Sequence, residues 1–293
     1  MRKCLFLVLL MSVVSLGLSN IEIQIAMEKG LNWILASQTR DGSWGRGGES
    51  TGGVLSVLVD TFGIEPLGES AIKAANYILL NVKPPMGPLL EFNENGDQES
   101  PHLLGVTRLV DAGYINIALE VLGKRTVTHR MIMNQLVAEN EEELLKLDKA
   151  TFGNIIHMLV MGRFGLTYGI LGRCIDILAG AVEEDKPTYG IVYALTKYAY
   201  PLPEEVAELC ERRLKELLDK WDGSLVDLQL IITARAMTAL CLSGFRSTLL
   251  DEIVHLLLSH QNDDGSWGSE YKLEATLFVV EALQHYQSKE KKK

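Results

Sequence analysis

Four residues of this chain have the types and positions that acid–base chemistry requires: Asp97, His102, Asp227 and Glu274. Carboxylates and histidines are the side chains that most often accept and donate protons in enzymes. Each of the four follows a turn or a polar loop, so we expect it at the end of a helix that borders a cavity. A helix cap or a solvated helix end explains the same positions without catalysis. Further acidic residues in comparable positions are Glu49, Asp60, Glu99 and Glu270.

Two arginines, Arg163 and Arg173, lie in apolar stretches that are rich in glycine. An arginine in such surroundings needs an acceptor for its charge and its N–H groups. Two interpretations stay open: each guanidinium pairs inside the protein, or it meets an anion in a cavity.

No arrangement of residues indicates a metal or a cofactor. The six histidines show no paired ligand spacing, and an Asp-x-Cys pair of zinc ligands does not occur. Cys174, Cys210 and Cys241 are too few for a disulfide framework, although the sequence leaves open whether two of them pair. We therefore predict no metal site and no cofactor.

The charge balance excludes one class of partner. The 293 residues are 47% hydrophobic and 23% charged, as in ordinary globular proteins, and carry a net charge of −10. Nucleic-acid binding needs a basic face, so we expect no nucleic-acid partner. We interpret the charged tail, residues 289–293, as a solvated terminus.

The first 19 residues resemble a targeting segment. Arg2 and Lys3 precede an uncharged stretch, residues 4–18, and small residues follow, with cleavage expected after Gly17 or Ser19. About 20 apolar residues are needed to span a bilayer, so this stretch is short for that purpose. We expect an exported protein whose segment 1–19 is a signal peptide, with an uncleaved N-terminal membrane anchor or a buried helix as alternatives.

Helical periodicity dominates the remaining chain. Twelve or thirteen apolar segments with a helical period lie between Ile21 and Tyr286, separated by short Gly, Pro, Asn or Asp breaks. The clearest is 204–220, and the longest gap between helices is 89–101. No segment alternates as a strand does, and no change in composition marks a linker. The sequence predicts one all-α domain over residues 20–288.

A repeated motif indicates how these helices are arranged. Residues 38–45 (QTRDGSWG) and 261–268 (QNDDGSWG) are nearly identical, and 221–224 (WDGS) is a degenerate copy. Asp222 lies 42 residues before Asp264 and 181 residues after Asp41, which is four steps of about 45 residues. A helical hairpin with its connections needs about that length. The spacing predicts about six hairpins that close into a ring.

Residues 29–38 followed by 41–45 resemble the QW repeat of triterpene cyclases: a basic residue, a small residue, an aromatic, Gln, then Gly-x-Trp. The second copy has Leu256 in place of the aromatic. The resemblance implies the α/α toroid of the terpenoid cyclase and protein prenyltransferase superfamily. It also implies that the motif residues tie helices together. These residues are Gln38, Asp41, Gly42, Trp44, Gln261, Asp264, Gly265 and Trp267.

The catalytic signatures of that superfamily are missing from the sequence. The Asp-x-Asp-Asp acid of the cyclases is absent, and the nearest run, Gln261 to Asp264, lies inside the repeat motif. We therefore expect a toroid that acts as a binding protein or scaffold for an apolar ligand, a glycan or a protein. The alternatives are a divergent terpenoid cyclase, or a polysaccharide lyase or hydrolase on the same fold. The sequence leaves open whether the protein is an enzyme and what its oligomeric state is.

Overall fold

A computed structural model describes residues 20–45, 47–82, 101–184, 189–197, 202–219, 227–244 and 247–290. Every regular element in these ranges is a helix. The α-helices are α1 (20–36), α2 (Gly48–Phe62), α3 (Gly68–Asn81), α4 (Pro101–Val121), α5 (Val127–Glu139), α6 (Glu141–Lys146), α7 (Lys149–Met161), α8 (Tyr168–Glu184), α9 (Tyr189–Lys197), α10 (Glu204–Asp219), α11 (Asp227–Ser243), α12 (Leu249–Ser259) and α13 (Lys272–Glu290). A short 3-10 helix, Glu65–Leu67, precedes α3.

At the starts of two helices, side chains accept hydrogen bonds from backbone N–H groups that have no partner within the helix. The Asp148 side chain accepts hydrogen bonds from the backbone N–H groups of Ala150 and Thr151 at the start of α7. Thr126 and His129 form a capping box at the start of α5. The predicted all-α class is confirmed, and the helix predicted at 204–220 is α10.

Two boundaries differ from the sequence prediction. We expected the gap 89–101 to end after Pro101, but Pro101 is the first residue of α4, where a proline has no N–H bond to lose. Helix α13 runs to Glu290, so the first two residues of the charged tail are helical. Segment 1–19 lies outside the described residues. Among the described helices, none has both the length and the apolar character that a membrane span requires.

The chain forms two compact units. In the unit formed by residues 37–216, α2 packs on α4, α4 on α7, and α7 on α9. In the other unit, which contains α1 and α11 to α13, α11 packs along α13 and α12 contacts both. The single domain predicted over 20–288 stays a prediction.

Both full copies of the repeat motif form the same turn. Gln38 Nε2 donates to the carbonyls of Gly42 in the turn and Ser70 on α3, at 3.0 and 2.9 Å. Gln261 Nε2 donates to the carbonyls of Gly265 and Ala26 on α1, at 2.9 and 2.8 Å. Each glutamine therefore connects its own turn to the backbone of another helix.

Glycine is required in both turns for two reasons. Gly42 and Gly265 have φ values of 94° and 89°, a region that side chains disfavour. A Cβ on Gly42 would lie 2.5 Å from the carbonyl oxygen of Lys73, and one on Gly265 would lie 2.9 Å from that of Lys29. In both copies the turn therefore contacts the neighbouring helix at a backbone carbonyl three residues after the carbonyl that the glutamine binds.

A threonine completes each turn, and the sequence motif did not include it. The backbone N–H of Trp44 donates to Thr51 Oγ1 at 3.0 Å, and that of Trp267 donates to Thr276 Oγ1 at 2.8 Å. Both tryptophan side chains are fully buried. The spacing from Trp to Thr is seven residues in one copy and nine in the other, so a fixed-spacing motif cannot reveal the pair.

Replacing Gln261 by Ala is expected to lower the free energy of unfolding by about 1 to 2 kcal/mol, because two carbonyls lose their donor. Gln261→Glu has nearly the same shape but no N–H donor, and we expect a similar loss. Gln135→Ala is the matched control, since the hydrogen bond that Gln135 makes within the described part of the chain is to the exposed Glu139 side chain. Urea unfolding followed by circular dichroism measures all three. An equal midpoint for Gln261→Ala and Gln135→Ala would contradict the prediction.

Candidate functional site

A network of charged and polar side chains surrounds Asp60, near the C-terminal end of α2. Arg163 Nη1 donates to Asp60 Oδ1 at 2.6 Å, and Lys197 Nζ donates to Asp60 Oδ2 at 2.7 Å. The Tyr193 hydroxyl also donates to Oδ2, at 2.5 Å. Arg163 Nε lies 3.6 Å from Glu120 Oε2. We call these five residues the Asp60 cluster.

The cluster lies where four helices end. Asp60 is near the end of α2, Glu120 is near the end of α4, Arg163 lies two residues after the end of α7, and Lys197 is the last residue of α9. Helix C-terminal ends carry partial negative charge and unsatisfied carbonyls, so cations are stabilised there. This explains why cationic side chains gather at these ends in a chain of net negative charge.

Asp60 is an ionised carboxylate. Burial by itself would raise its pKa, since only 7% of the side chain is exposed. The charge of Lys197 and the hydrogen bonds from Lys197, Tyr193 and Arg163 outweigh burial and lower the pKa of Asp60 from 3.8 to about 2. The group is therefore suited to hold cations and hydroxyl donors, and unsuited to donate a proton near neutral pH.

Arg163 occupies an unusual backbone conformation. Its φ is 63°, and it is the one non-glycine residue with positive φ in the described part of the chain. Such a conformation costs of order 1 kcal/mol or more and persists where the surroundings hold it in place. Here Asp60 and Glu120 bind its guanidinium, and they also raise the pKa of Arg163 against the effect of burial.

The five residues of the Asp60 cluster carry no net charge, a neighbouring arginine adds one positive charge, and the cluster is partly open. Arg125 Nη1 bonds Glu120 Oε2 at 2.6 Å, so three cations surround two carboxylates. The side chains of Arg163 and Lys197 are 27% and 26% exposed. Tyr193 is buried, and its ring meets that of His157 edge-on, with centroids 4.4 Å apart. The charged groups of Arg163 and Lys197 are therefore more accessible to solvent than the Asp60 carboxylate and the Tyr193 hydroxyl.

Asp227 is the one of the four candidate catalytic residues whose partners the structure describes in detail. Its carboxylate accepts the backbone N–H groups of Ser269 and Tyr271 and the hydroxyl of Ser269, near the start of α13. Burial would raise the pKa of Asp227, but these hydrogen bonds lower it. The Asp227 carboxylate therefore connects the start of α11 to the loop that leads into α13.

Of the remaining candidates, the structure describes the side chains of Glu270 and Glu274 only. Glu270 and Glu274 are exposed in the unit that contains α13. His102 lies in the first turn of α4, and the structure describes neither its side chain nor that of Glu49. Asp97, Glu99 and the degenerate repeat 221–224 lie outside the described residues.

Arg173 pairs internally, as does Arg163. Its guanidinium donates to the carbonyls of Leu144, Leu145 and Leu147 at the end of α6, and it lies 4.5 Å from the ring centroid of Phe152. Both arginines thus follow the first of the two interpretations that the sequence left open.

The described residues contain no group of three or more His, Cys, Asp or Glu side chains that is arranged to hold a metal ion. Cys174, Cys210 and Cys241 are buried, and no disulfide joins them. Burial raises the pKa of Cys174 and of Cys210 to about 12, so these two thiols are inert near neutral pH.

Sequence reasoning missed Glu120, Tyr193 and Lys197. Tyr193 and Lys197 are one helical turn apart on α9, but such a pair is common in helices and signals nothing without its partner. That partner, Asp60, lies 133 residues before Tyr193.

Comparison with known proteins shows the fold. Two structures of variants of the type II terpene cyclase MstE from Scytonema are similar to this chain. The first, without ligand, has a TM-score of 0.59 and 10% sequence identity over 94% of this chain and 99% of that one. The second, in complex with its substrate geranylgeranyl dihydroxybenzoate, has a TM-score of 0.56 and 10% identity over 93% and 99%. The chain has the terpene cyclase fold, an α/α toroid.

The toroid predicted from the repeat motif is therefore confirmed. No protein-family model matches the sequence, and no curated protein matches it either. An identity of 10% supports the fold and does not transfer an activity.

Proposed function

We propose that this protein binds a prenylated or similarly apolar small molecule and does not start a cyclisation by protonating it from Asp60. The ionised state of Asp60 carries the second part of this proposal, that Asp60 is not a proton donor. With a pKa of about 2, about one molecule in 10⁵ has this carboxyl protonated at pH 7. A carboxylic acid that protonates an alkene must hold its proton in a dry site, and Asp60 holds cations instead.

The fold supports an apolar ligand. One similar structure, the MstE variant, holds a geranylgeranyl chain on its substrate. The present chain shares that architecture and lacks the Asp-x-Asp-Asp acid of the cyclases. A toroid that keeps the architecture without the acid is suited to hold such a molecule unchanged.

Native mass spectrometry of the protein purified from the membrane and envelope fraction of its own host tests this proposal. We expect a bound mass that disappears on denaturation and that solvent extraction recovers as an apolar molecule. The purified protein is then incubated with geranylgeraniol and with squalene, and the recovered molecules are compared by chromatography, because a cyclised isomer has the same mass. Binding with unchanged retention supports the proposal. No bound molecule, either as purified or after incubation, would overturn it.

A divergent terpenoid cyclase is the second candidate, and the likeness to MstE favours it. The same incubation distinguishes the two, since a cyclase converts the probe into an isomer. If Asp60→Asn then abolishes the isomer, Asp60 is the acid and our assignment of its charge is wrong. If the isomer persists in Asp60→Asn, another residue supplies the proton. A polysaccharide lyase or hydrolase has less support, because Asp60 and Tyr193 are buried away from any polymer.

A further inference from the structure

We propose that helix α5 is an interface between two copies of this chain, which form a dimer with their α5 helices antiparallel. The proposal is independent of the ligand proposed above, because it concerns the outward face of one helix. Three apolar residues of α5 are exposed: Val127 at 70%, Met131 at 67% and Ile132 at 46%. Met133 and Val137, on the opposite side of the helix, are buried. The face that α5 turns to water is therefore partly apolar.

Helix α10 shows how a solvated helix of this protein differs from α5. Nine residues of α5 are exposed, and only two of them, Arg130 and Glu139, are charged. A helix on the surface of a globular protein usually carries charged and polar residues on its outward face. The exposed residues that the structure describes on α10 are all charged: Glu204, Glu205, Glu208, Arg212, Lys215 and Asp219.

The charges of α5 stand at the ends that disfavour an isolated helix. The N-terminal end of a helix carries partial positive charge and the C-terminal end partial negative charge. Lys124 and Arg130 nevertheless lie near the start of α5, and Glu139 is its last residue; all three are exposed. Each charge therefore lies beside a helix end of its own sign. An opposite charge brought to either end would relieve this repulsion.

A second α5 that runs in the opposite direction brings those opposite charges. In a pair centred between Met131 and Ile132, Lys124 of one copy comes near Glu139 of the other, because the two residues are equally far from that centre in the sequence. The pair has twofold symmetry, so the same contact forms twice, as in most dimers of identical chains. The exposed apolar residues meet around the centre, where they leave water.

The charge pattern selects a second copy over other partners. Residues 124–146 contain four basic and four acidic residues, so this part of the chain has no net charge, whereas the whole chain carries −10. Two acidic chains repel each other least where their surfaces are neutral. A bilayer with anionic lipids would attract Arg130 but repel Glu139 and the exposed Glu142. Helix α5 has 13 residues and is about 20 Å long, so the interface is small and the dimer should be weak.

Sedimentation equilibrium of the full chain, at near-physiological salt, tests the proposal. We expect a monomer–dimer equilibrium with a dissociation constant in the micromolar range. Lys124→Glu and Glu139→Lys should each weaken the dimer by about tenfold, because each places like charges together at both ends of the pair. The combination of the two should restore it, since the contacts form again with their signs exchanged.

Glu139→Lys separates this contact from general charge repulsion. The substitution makes the chain less acidic, so repulsion between whole chains alone would make the variant dimerise more tightly. It also places a cation at the C-terminal end of α5, where it stabilises the helix. A weaker dimer from a helix that is at least as stable therefore reports the contact with Lys124 of the other copy.

Met131→Asp, at the centre of the pair, should weaken the dimer by at least about tenfold. The matched control is Leu80→Asp on α3, because Leu80 is also apolar and is 85% exposed. It should leave the equilibrium unchanged, and circular dichroism checks that every variant is folded.

Several results would overturn the proposal. One is a chain that stays monomeric up to about millimolar concentration. Others are a combined Lys124 and Glu139 variant that does not regain the dimer, a Glu139→Lys variant that dimerises more tightly, or a Leu80→Asp variant that loses as much as Met131→Asp. A monomer that sediments with phosphatidylcholine vesicles, and loses this binding in Met131→Asp, would assign α5 to a bilayer instead.

Discussion

Replacing Asp60 by Asn is expected to lower the free energy of unfolding by about 2 to 3 kcal/mol at pH 7. The change leaves Arg163 and Lys197 without the carboxylate that both of them bind. Removing one partner of a fully buried pair costs about 3 to 5 kcal/mol, and we reduce that figure because about a quarter of each cation is exposed. Urea unfolding at pH 7 measures the loss.

The effect of Asp60→Asn should fall with pH. The folded protein lowers the pKa of Asp60 from 3.8 to about 2, so the carboxylate stabilises the fold fully above pH 4 to 5. That stabilisation, about 2.4 kcal/mol from the shift, is lost as the pH falls through the folded pKa. By pH 3 about half should be gone, and the difference between the variant and the native protein should narrow accordingly.

Two controls make the Asp60 prediction specific. Asp176 on α8 is exposed, so Asp176→Asn should change stability by less than about 0.5 kcal/mol. Lys197→Met combined with Asp60→Asn should cost less than the sum of the single changes, because the two groups bond each other. A loss for Asp60→Asn that is the same at pH 7 and pH 3 would contradict the ionised state assigned here.

Replacing Gly190 by Ala is expected to destabilise the protein by about 2 kcal/mol and to disturb the Asp60 cluster. A Cβ on Gly190 would lie 2.4 Å from the carbonyl oxygen of Gly153 on α7, and that oxygen belongs to the backbone and cannot rotate away. Helix α9 would have to move off α7, at a cost typical of overpacking. Tyr193 and Lys197 lie on the same face of α9, three and seven residues further on, so they would move with it.

Gly172→Ala is the matched control for Gly190→Ala. Gly172 lies inside α8, and a Cβ there meets nothing within 4 Å. The control should stabilise the protein by about 0.5 to 1 kcal/mol, since alanine is the better helix former. Unfolding in urea compares the two variants. In the Gly190→Ala background, Asp60→Asn should cost less than in the native protein, and an undiminished cost would show that α9 did not move.

The fold class and the turns that connect the helices could be predicted from the amino-acid sequence. Helical periodicity and glycine breaks are local signals, and they predicted the helices and the all-α class because 3.6-residue spacing and turn chemistry are properties of short segments. The α/α toroid was predicted from the spacing of the repeat motif and its resemblance to the QW repeat. Gln261 and Gly265 were identified in the same way, since the motif repeats within one turn. The hydrogen bond from Gln261 to the Ala26 carbonyl on α1, 235 residues away, was not readable from the motif.

Which polar residues act together became visible in the folded chain and not in its sequence. Asp60 was one of eight candidate positions in the sequence, and nothing near it in the chain distinguishes it from Glu274. Its state depends on Arg163 and Lys197, which lie 103 and 137 residues away. The hydrogen bond from Gln287 to the carbonyl of Asn20, which joins α13 to α1 across 267 residues of sequence, is of the same kind. Charge interactions and long-range hydrogen bonds depend on distance in space, and sequence spacing does not report that distance until the chain is folded.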